Sequence, residues 1–197
     1  MDEIFELYPE AKVIHVVRDG RDVAISLMHH FWNLSKDEHE EGIYDLEPEE
    51  LAKRDAYRED PEAFVASSQS IFVEERLRQM ATRWNRRTSK ASREGTELFG
   101  DNFLELRYED LLLRPEEIMQ PVFDLLGADS DKDLVRHCVQ KHSFESAAGR
   151  PQGSEDRESF FRKGVAGDWR NLFTERDREV YGQIAGQTLV EKGYPLD

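Results

Sequence analysis

Residues 12–34, KVIHVVRDGRDVAISLMHHFWNL, constrain the fold more than any other stretch of the chain. A short β-branched run comes first, and Val23, Leu27, Met28, Phe31 and Leu34 then recur at helical spacing. The stretch reads as strand, tight turn and helix, with Gly20 in the turn and Asp19 where an N-cap belongs. Helix and strand alternate down the rest of the chain. Leu77, Met80, Ala81 and Trp84 form an apolar stripe between Glu74 and Arg93, and FLELRYEDLL (103–112) opens as a strand with period-two alternation. Pro115 starts a helical stretch through Ile118, Val122 and Leu125 that stops at Gly127, and a short helix follows from Asp131 to Gln140. The stretch 147–159, AAGRPQGSEDRES, has no periodicity and reads as a loop able to move. The last helix begins after Thr174, whose spacing to Asp177 is that of a capping box, and closes at Gly193. Strand, turn and helix recurring over intervals long enough for crossovers predict a mostly parallel sheet flanked by helices, an α/β fold. With 197 residues, 38% of them hydrophobic, one domain spanning 1–197 is expected.

Charge narrows the choice of ligand. The formal net charge of −15 argues against a phosphodiester backbone as partner, so nucleic acid is not expected. Residues 36–62 hold twelve Asp or Glu against four Lys or Arg, and 36–70 reads as an exposed acidic insertion within the domain. A mean hydropathy of −0.74, with no apolar run near the ~20 residues that span a bilayer, excludes a transmembrane helix, so no membrane partner is expected. Cys138 is the single cysteine and the N-terminus lacks a basic and apolar leader, which together predict a cytoplasmic protein.

Against that acidic background, Arg162, Lys163 and Gly164 stand side by side in a loop within FFRKGVAGDWRNLFT (160–174). Such a local basic cluster suits one small anion. Ligands of parallel sheets bind at the carboxyl ends of the strands. Arg18 lies at one such end and Tyr108 at a second. A helix N-terminus, an Arg fork and the Ser26 hydroxyl together suit a phosphate monoester. Trp169 reads as a core anchor that fixes the loop, since a Trp buries so much apolar area.

VVRDGRDVAIS, LRYEDLLLRPEE and FRKGVAGDWRNLFT, in this order and at these separations, resemble the sulfotransferases that use 3′-phosphoadenosine-5′-phosphosulfate (PAPS). The resemblance runs from about Tyr8 to the C-terminus and implies a P-loop nucleotide-kinase-like fold. It implies PAPS as co-substrate, adenosine 3′,5′-bisphosphate (PAP) as product, and a small-molecule hydroxyl or amine as acceptor. Residue by residue, it implies that Arg18 and Ser26 hold the 3′-phosphate and that the loop of Arg162, Lys163 and Gly164 closes on it. It places Tyr108 near the adenine and Ser143 and Phe144 at the border of the base.

The family's first strand and phosphosulfate loop have no counterpart here, and neither has its His base. The resemblance therefore implies an N-terminally incomplete domain, with marginal stability or self-association. The residues themselves name no catalytic base. Strand alternation turns His15 to the face opposite Arg18, where it reads as structural, and His29 and His30 lie deeper in the helix. His137, Cys138 and His142 lack a fourth ligand and match no strong zinc spacing, so no metal is expected. Two further functions stay open beside the sulfotransferase. One is a non-catalytic PAP- or PAPS-binding remnant or interaction module. The other is a kinase on the same fold, which would need Mg²⁺ on the β- and γ-phosphates.

Overall fold

Each helical stripe and strand run described above has its counterpart in the computed structural model, which describes residues 1–34, 46–151, 153 and 164–197. In chain order the elements are α1 (Asp2–Leu7), β1 (Val13–Val17), α2 (Gly20–Leu34), α3 (Pro48–Glu59), α4 (Pro61–Ala66), α5 (Glu74–Phe99) and β2 (Phe103–Arg107). They continue with α6 (Tyr108–Leu113), α7 (Pro115–Leu126), α8 (Lys132–Lys141), α9 (Phe144–Ala148), α10 (Trp169–Leu172) and α11 (Glu175–Glu191).

The parallel sheet that the sequence predicts is small. Among the described residues only β1 and β2 are strands, and helices make up most of the rest. The pairing is parallel as expected, with Val13 opposite Phe103 and Val17 opposite Arg107. Parallel partners need a long crossover, and α2 to α5 fill the interval between the two strands. Those segments all carry the 3.6-residue period, so alternation of element types pointed to a sheet that two strands suffice to satisfy.

The described residues group into two compact units. The first holds α1, β1, the part of α5 from Arg86 onward, β2, α6 to α9 and residues 164–166. Its buried side chains include Val17, Phe99, Leu106, Val122 and Val135. Phe5 of α1 meets Phe99 edge-to-face at 5.4 Å, an arrangement that aromatic quadrupoles favour. Pro115 opens α7 at the first helical position, and Asp131 caps α8 by accepting from the amides of Asp133 and Leu134.

The second unit holds α2, α3, α4, α5 up to Asn85, α10 and α11. Ile25, Met28 and Trp32 of α2, Leu77 and Ala81 of α5, and Val180, Tyr181 and Leu189 of α11 are almost fully buried. Thr174 and Asp177 make the capping box that their spacing predicts. Gly20 is the first residue of α2, and packing explains it better than a turn. A Cβ there would lie 2.2 Å from the Tyr181 hydroxyl and 2.5 Å from the Trp84 ring. Residues 48–66, within the stretch read from its charge as an exposed insertion, form α3 and α4, whose buried side carries Glu50, Arg54, Tyr57 and Phe64.

Candidate functional site

Register brings the first two site residues together. Because Val17 and Arg107 are partners at the ends of β1 and β2, the next residues, Arg18 and Tyr108, lie side by side at the carboxyl ends of parallel strands. The Arg18 guanidinium sits 4.9 Å from the centre of the Tyr108 ring, a cation–π contact. Arg18 Nη2 also donates to the carbonyl oxygen of Val165 at 3.4 Å, which ties the loop after the basic cluster to the strand end. One residue on, the buried amide of Asp19 donates to Glu109 Oε1 at 2.9 Å. This contact joins the two strand ends a second time.

Residues 143 and 144 meet the same loop. Ser143 caps α9, its Oγ accepting from the Ser146 amide at 3.3 Å, and this sets the start of the turn that carries Phe144. Gly164 has φ +66°, in the left-handed region, and a Cβ on it would lie 2.4 Å from the Phe144 ring. Arg150 stands over the same ring at 5.4 Å. Arg18, Tyr108, Phe144 and Gly164 therefore form one run of contacts in the first unit, linked through Val165.

Gly164 is required twice over, for its dihedral and for its close approach. Gly164→Ala is expected to cost about 1–3 kcal/mol through backbone strain, and in addition to displace Phe144. Gly149 supplies the control, since it has φ +68° and a Cβ added to it would meet nothing within 4 Å. Gly149→Ala carries the strain without the collision. Equal losses for the two variants in urea unfolding would mean that the Phe144 contact contributes nothing.

Ser26 is exposed in the second turn of α2, in the second unit. Arg162 and Lys163 lie outside the described residues. His15 places Nδ1 3.1 Å from Glu105 Oε2, and the Ser92 hydroxyl donates to the same oxygen. A carboxylate between a hydroxyl and an imidazole orders both, which agrees with a structural His15. His29 is buried edge-on to Trp32 and Tyr57, at 5.2 and 5.6 Å.

Two residues that the sequence reading did not single out organise the second half of the loop. Asp22, 1% exposed, accepts from the amide of Gly167 at 2.6 Å through Oδ2 and from the amide of Trp169 at 2.9 Å through Oδ1. Arg21 lies 3.6 Å from the Trp169 ring centre and donates to the Pro195 carbonyl at 2.7 Å. Trp169 is itself 1% exposed, the anchor its size predicted. Asp22 stands in the first turn of α2, where an acidic residue is ordinarily read as complementing the helix dipole. The signal that could have identified it is the second Asp of RDGRD paired with the GDW string 147 residues away.

Comparison with known proteins matches residues 6–193 to the sulfotransferase domain. The chain belongs to this family. It is 24% identical to sulfotransferase 1A1 of Bos taurus over 182 residues, covering 87% of the chain and 52% of that protein. It is 25% identical to flavonol 3-sulfotransferase of Flaveria bidentis over 201 residues, covering 94% of the chain and 57% of that protein. The sulfotransferase chain thus spans little more than half the length of these relatives. Its fold is similar to that of mouse sulfotransferase SULT7A1, solved in complex with PAP, with a TM-score of 0.57 at 18% identity, covering 93% of this chain and 62% of that one. Among the described residues, no helix of the sulfotransferase chain is long and apolar enough to cross a membrane.

Proposed function

We propose that this sulfotransferase domain binds PAPS and PAP through the 3′-phosphate and the adenine, and serves transfer of a sulfuryl group to a hydroxyl or amine of a small molecule. One observation carries the reading. Arg18, at the end of β1, touches both Tyr108 at the end of β2 and the loop that contains Gly164, whose other neighbour is Phe144. The donor set suits the ligand. A guanidinium fork matches a phosphate dianion, and an amide at a positive-φ glycine beside it is a second anion donor. The Tyr108 and Phe144 rings offer apolar faces to a purine. In the sequence, Arg162 and Lys163 directly precede Gly164 and would add two positive charges. The nucleotide supplies the sulfuryl group, and the acceptor surrenders a proton as the new oxygen–sulfur or nitrogen–sulfur bond forms. What this chain's own residues do is hold the distal phosphate and the base, which fixes the donor's orientation.

Calorimetric titration with PAP, using AMP as the ligand that lacks the 3′-phosphate, tests the reading. PAP is expected to bind and AMP to bind much more weakly. Arg18→Ala is expected to weaken PAP by roughly tenfold to a hundredfold, the size of one lost charge-assisted contact, and to leave AMP nearly unchanged. Equal affinity for the two nucleotides would sink the 3′-phosphate assignment. Selective binding with no sulfate transfer to any phenol, alcohol or amine would favour a nucleotide-binding module over an enzyme.

A further inference from the structure

Helix α5 carries a stripe of positive charge that the proposed nucleotide contacts do not use. Its residues 76–93 hold seven Arg or Lys and no Asp or Glu, in a chain whose acids outnumber its Lys and Arg by 42 to 27. In the first unit, Arg86, Arg87, Lys90 and Arg93 are all exposed, and their spacing of three and four residues sets them along one side of the helix. We propose that this stripe is a docking surface for an acidic polypeptide segment in extended conformation. The assignment does not rest on the nucleotide reading.

The fold itself makes little use of these charges. Among the described residues, Arg86 and Arg87 enter no ion pair. Lys90 Nζ and Arg93 Nη2 approach the same oxygen of Glu94, at 3.5 and 3.9 Å, so one negative charge faces two positive ones. Glu97, the next acid in sequence, closes the stripe. Like charges three or four residues apart destabilise a helix. Arg86 with Lys90, Arg87 with Lys90, and Lys90 with Arg93 are three such pairs. The start of α5 shows the ordinary arrangement instead, with Glu74 four residues before Arg78 and 2.7 Å from it. An exposed run of repulsive pairs is a cost to the free chain that an anionic partner offsets.

The residues between the cations select the kind of anion. Thr88, Ser89, Ala91 and Ser92 include no aromatic ring on which a base could stack, as single-stranded nucleic acid requires. They include no large apolar side chain that could enter the acyl boundary of a bilayer. The net charge of −15 further opposes the approach of a long polyanion or an anionic vesicle, whereas a short acidic segment meets the stripe alone. Spacing agrees with this choice. Arg86 and Lys90 stand about 6 Å apart along the helix axis, and alternate residues of an extended strand are about 6.6 Å apart. A segment with Asp or Glu at every second position therefore sets successive carboxylates against successive turns of α5. From Arg86 to Arg93 the stripe is about 10 Å long, room for about two or three such carboxylates.

The probe is the peptide Glu-Ser-Glu-Ser-Glu-Ser-Glu carrying fluorescein, its binding to the whole chain read by anisotropy. One peptide is expected to bind per chain at about 0.1 M salt. Its affinity is expected to fall roughly tenfold at about 1 M, where the Debye length contracts from about 10 Å to about 3 Å. Arg86→Glu combined with Arg87→Glu is expected to weaken the peptide by roughly tenfold or more, as two exposed attractions become repulsions. The same variant turns two repulsive helix pairs with Lys90 into attractive ones, so it is expected to be no less stable than the native chain in urea. Lost binding would then not come from unfolding. Unchanged affinity in this variant would overturn the proposal. Displacement of the peptide by PAP would overturn it too, since the peptide would then sit among the nucleotide contacts. Tighter binding of oligothymidylate or of phosphatidylserine vesicles than of the peptide would overturn the choice of partner.

Discussion

Asp22→Ala is expected to destabilise the chain by about 3 kcal/mol, the cost of leaving the buried Trp169 amide and the half-buried Gly167 amide without an acceptor. For a chain of this size that corresponds to a fall in Tm of roughly 10 °C. The two carboxylate oxygens of Asp22 each serve one amide, Gly167 through Oδ2 and Trp169 through Oδ1. The carboxylate and Trp169 are each 1% exposed, so water does not replace the bond lost at Trp169, whereas Gly167 is half-buried. Asp22→Asn retains one acceptor oxygen and turns an NH₂ group toward the other amide, so about half of that loss is expected. Thermal unfolding followed by circular dichroism separates the variants. A loss below about 1 kcal/mol for Asp22→Ala would show that the two amides find other acceptors.

Arg76→Ala is expected to cost about 3–5 kcal/mol near neutral pH, the penalty for stranding a buried carboxylate. Glu50 is 1% exposed, and its oxygens accept from Arg76 Nε at 2.7 Å and Nη2 at 2.9 Å. Glu50 Oε2 also accepts from the Glu47 amide at 2.9 Å, closing the capping box of α3. Burial by itself would raise the Glu50 carboxyl. The Arg76 fork, the Glu47 amide and the Arg76 charge outweigh it and hold the group below its ordinary value of 4.5. A carboxyl depressed on folding contributes stability that is complete above the unfolded value and is lost as pH falls through the folded value. The native protein should therefore lose stability at this site only on acidification below about 4.5.

The variant should do the opposite. Once Arg76 is removed, burial dominates, the folded Glu50 value lies above the unfolded one, and this group's contribution declines as pH rises. The gap between native and variant stabilities should therefore narrow on going from pH 7 toward pH 5. A gap that stays constant over that range would mean that Glu50 gains water or another cation in the variant. Replacing both residues, Glu50→Gln with Arg76→Met, removes the stranded charge and is expected to recover much of the loss.

Local structure was legible in the sequence because its causes are local. The β-branched run at 13–17, Pro115 at the first position of α7, Gly127 after it, and the spacing of Thr174 to Asp177 act over a few residues. Each element they mark is present within a few residues of its expected bounds. The extent of the sheet was not legible, because the same alternation of helix and strand is compatible with two strands or with many. Arg18, Tyr108, Phe144 and Gly164 were each picked out as positions, but the Arg18–Tyr108 contact depends on the register of β1 against β2, 90 residues apart, and the Gly164–Phe144 approach on residues 20 apart in sequence.

Charge was the least reliable guide, for a physical reason. Glu50 and Arg54 lie in a stretch whose composition reads as a solvated surface, yet they are 1% and 3% exposed. Asp22 resembles an ordinary first-turn acid, yet it is the acceptor for two distant amides. By itself the sequence determined α2, α5, α7, α8 and α11, and the two strands with their parallel pairing. Only the tertiary structure decided which charges are buried, because burying a charge requires a partner. Arg76 for Glu50, and Gly167 and Trp169 for Asp22, come from parts of the chain that folding alone brings near.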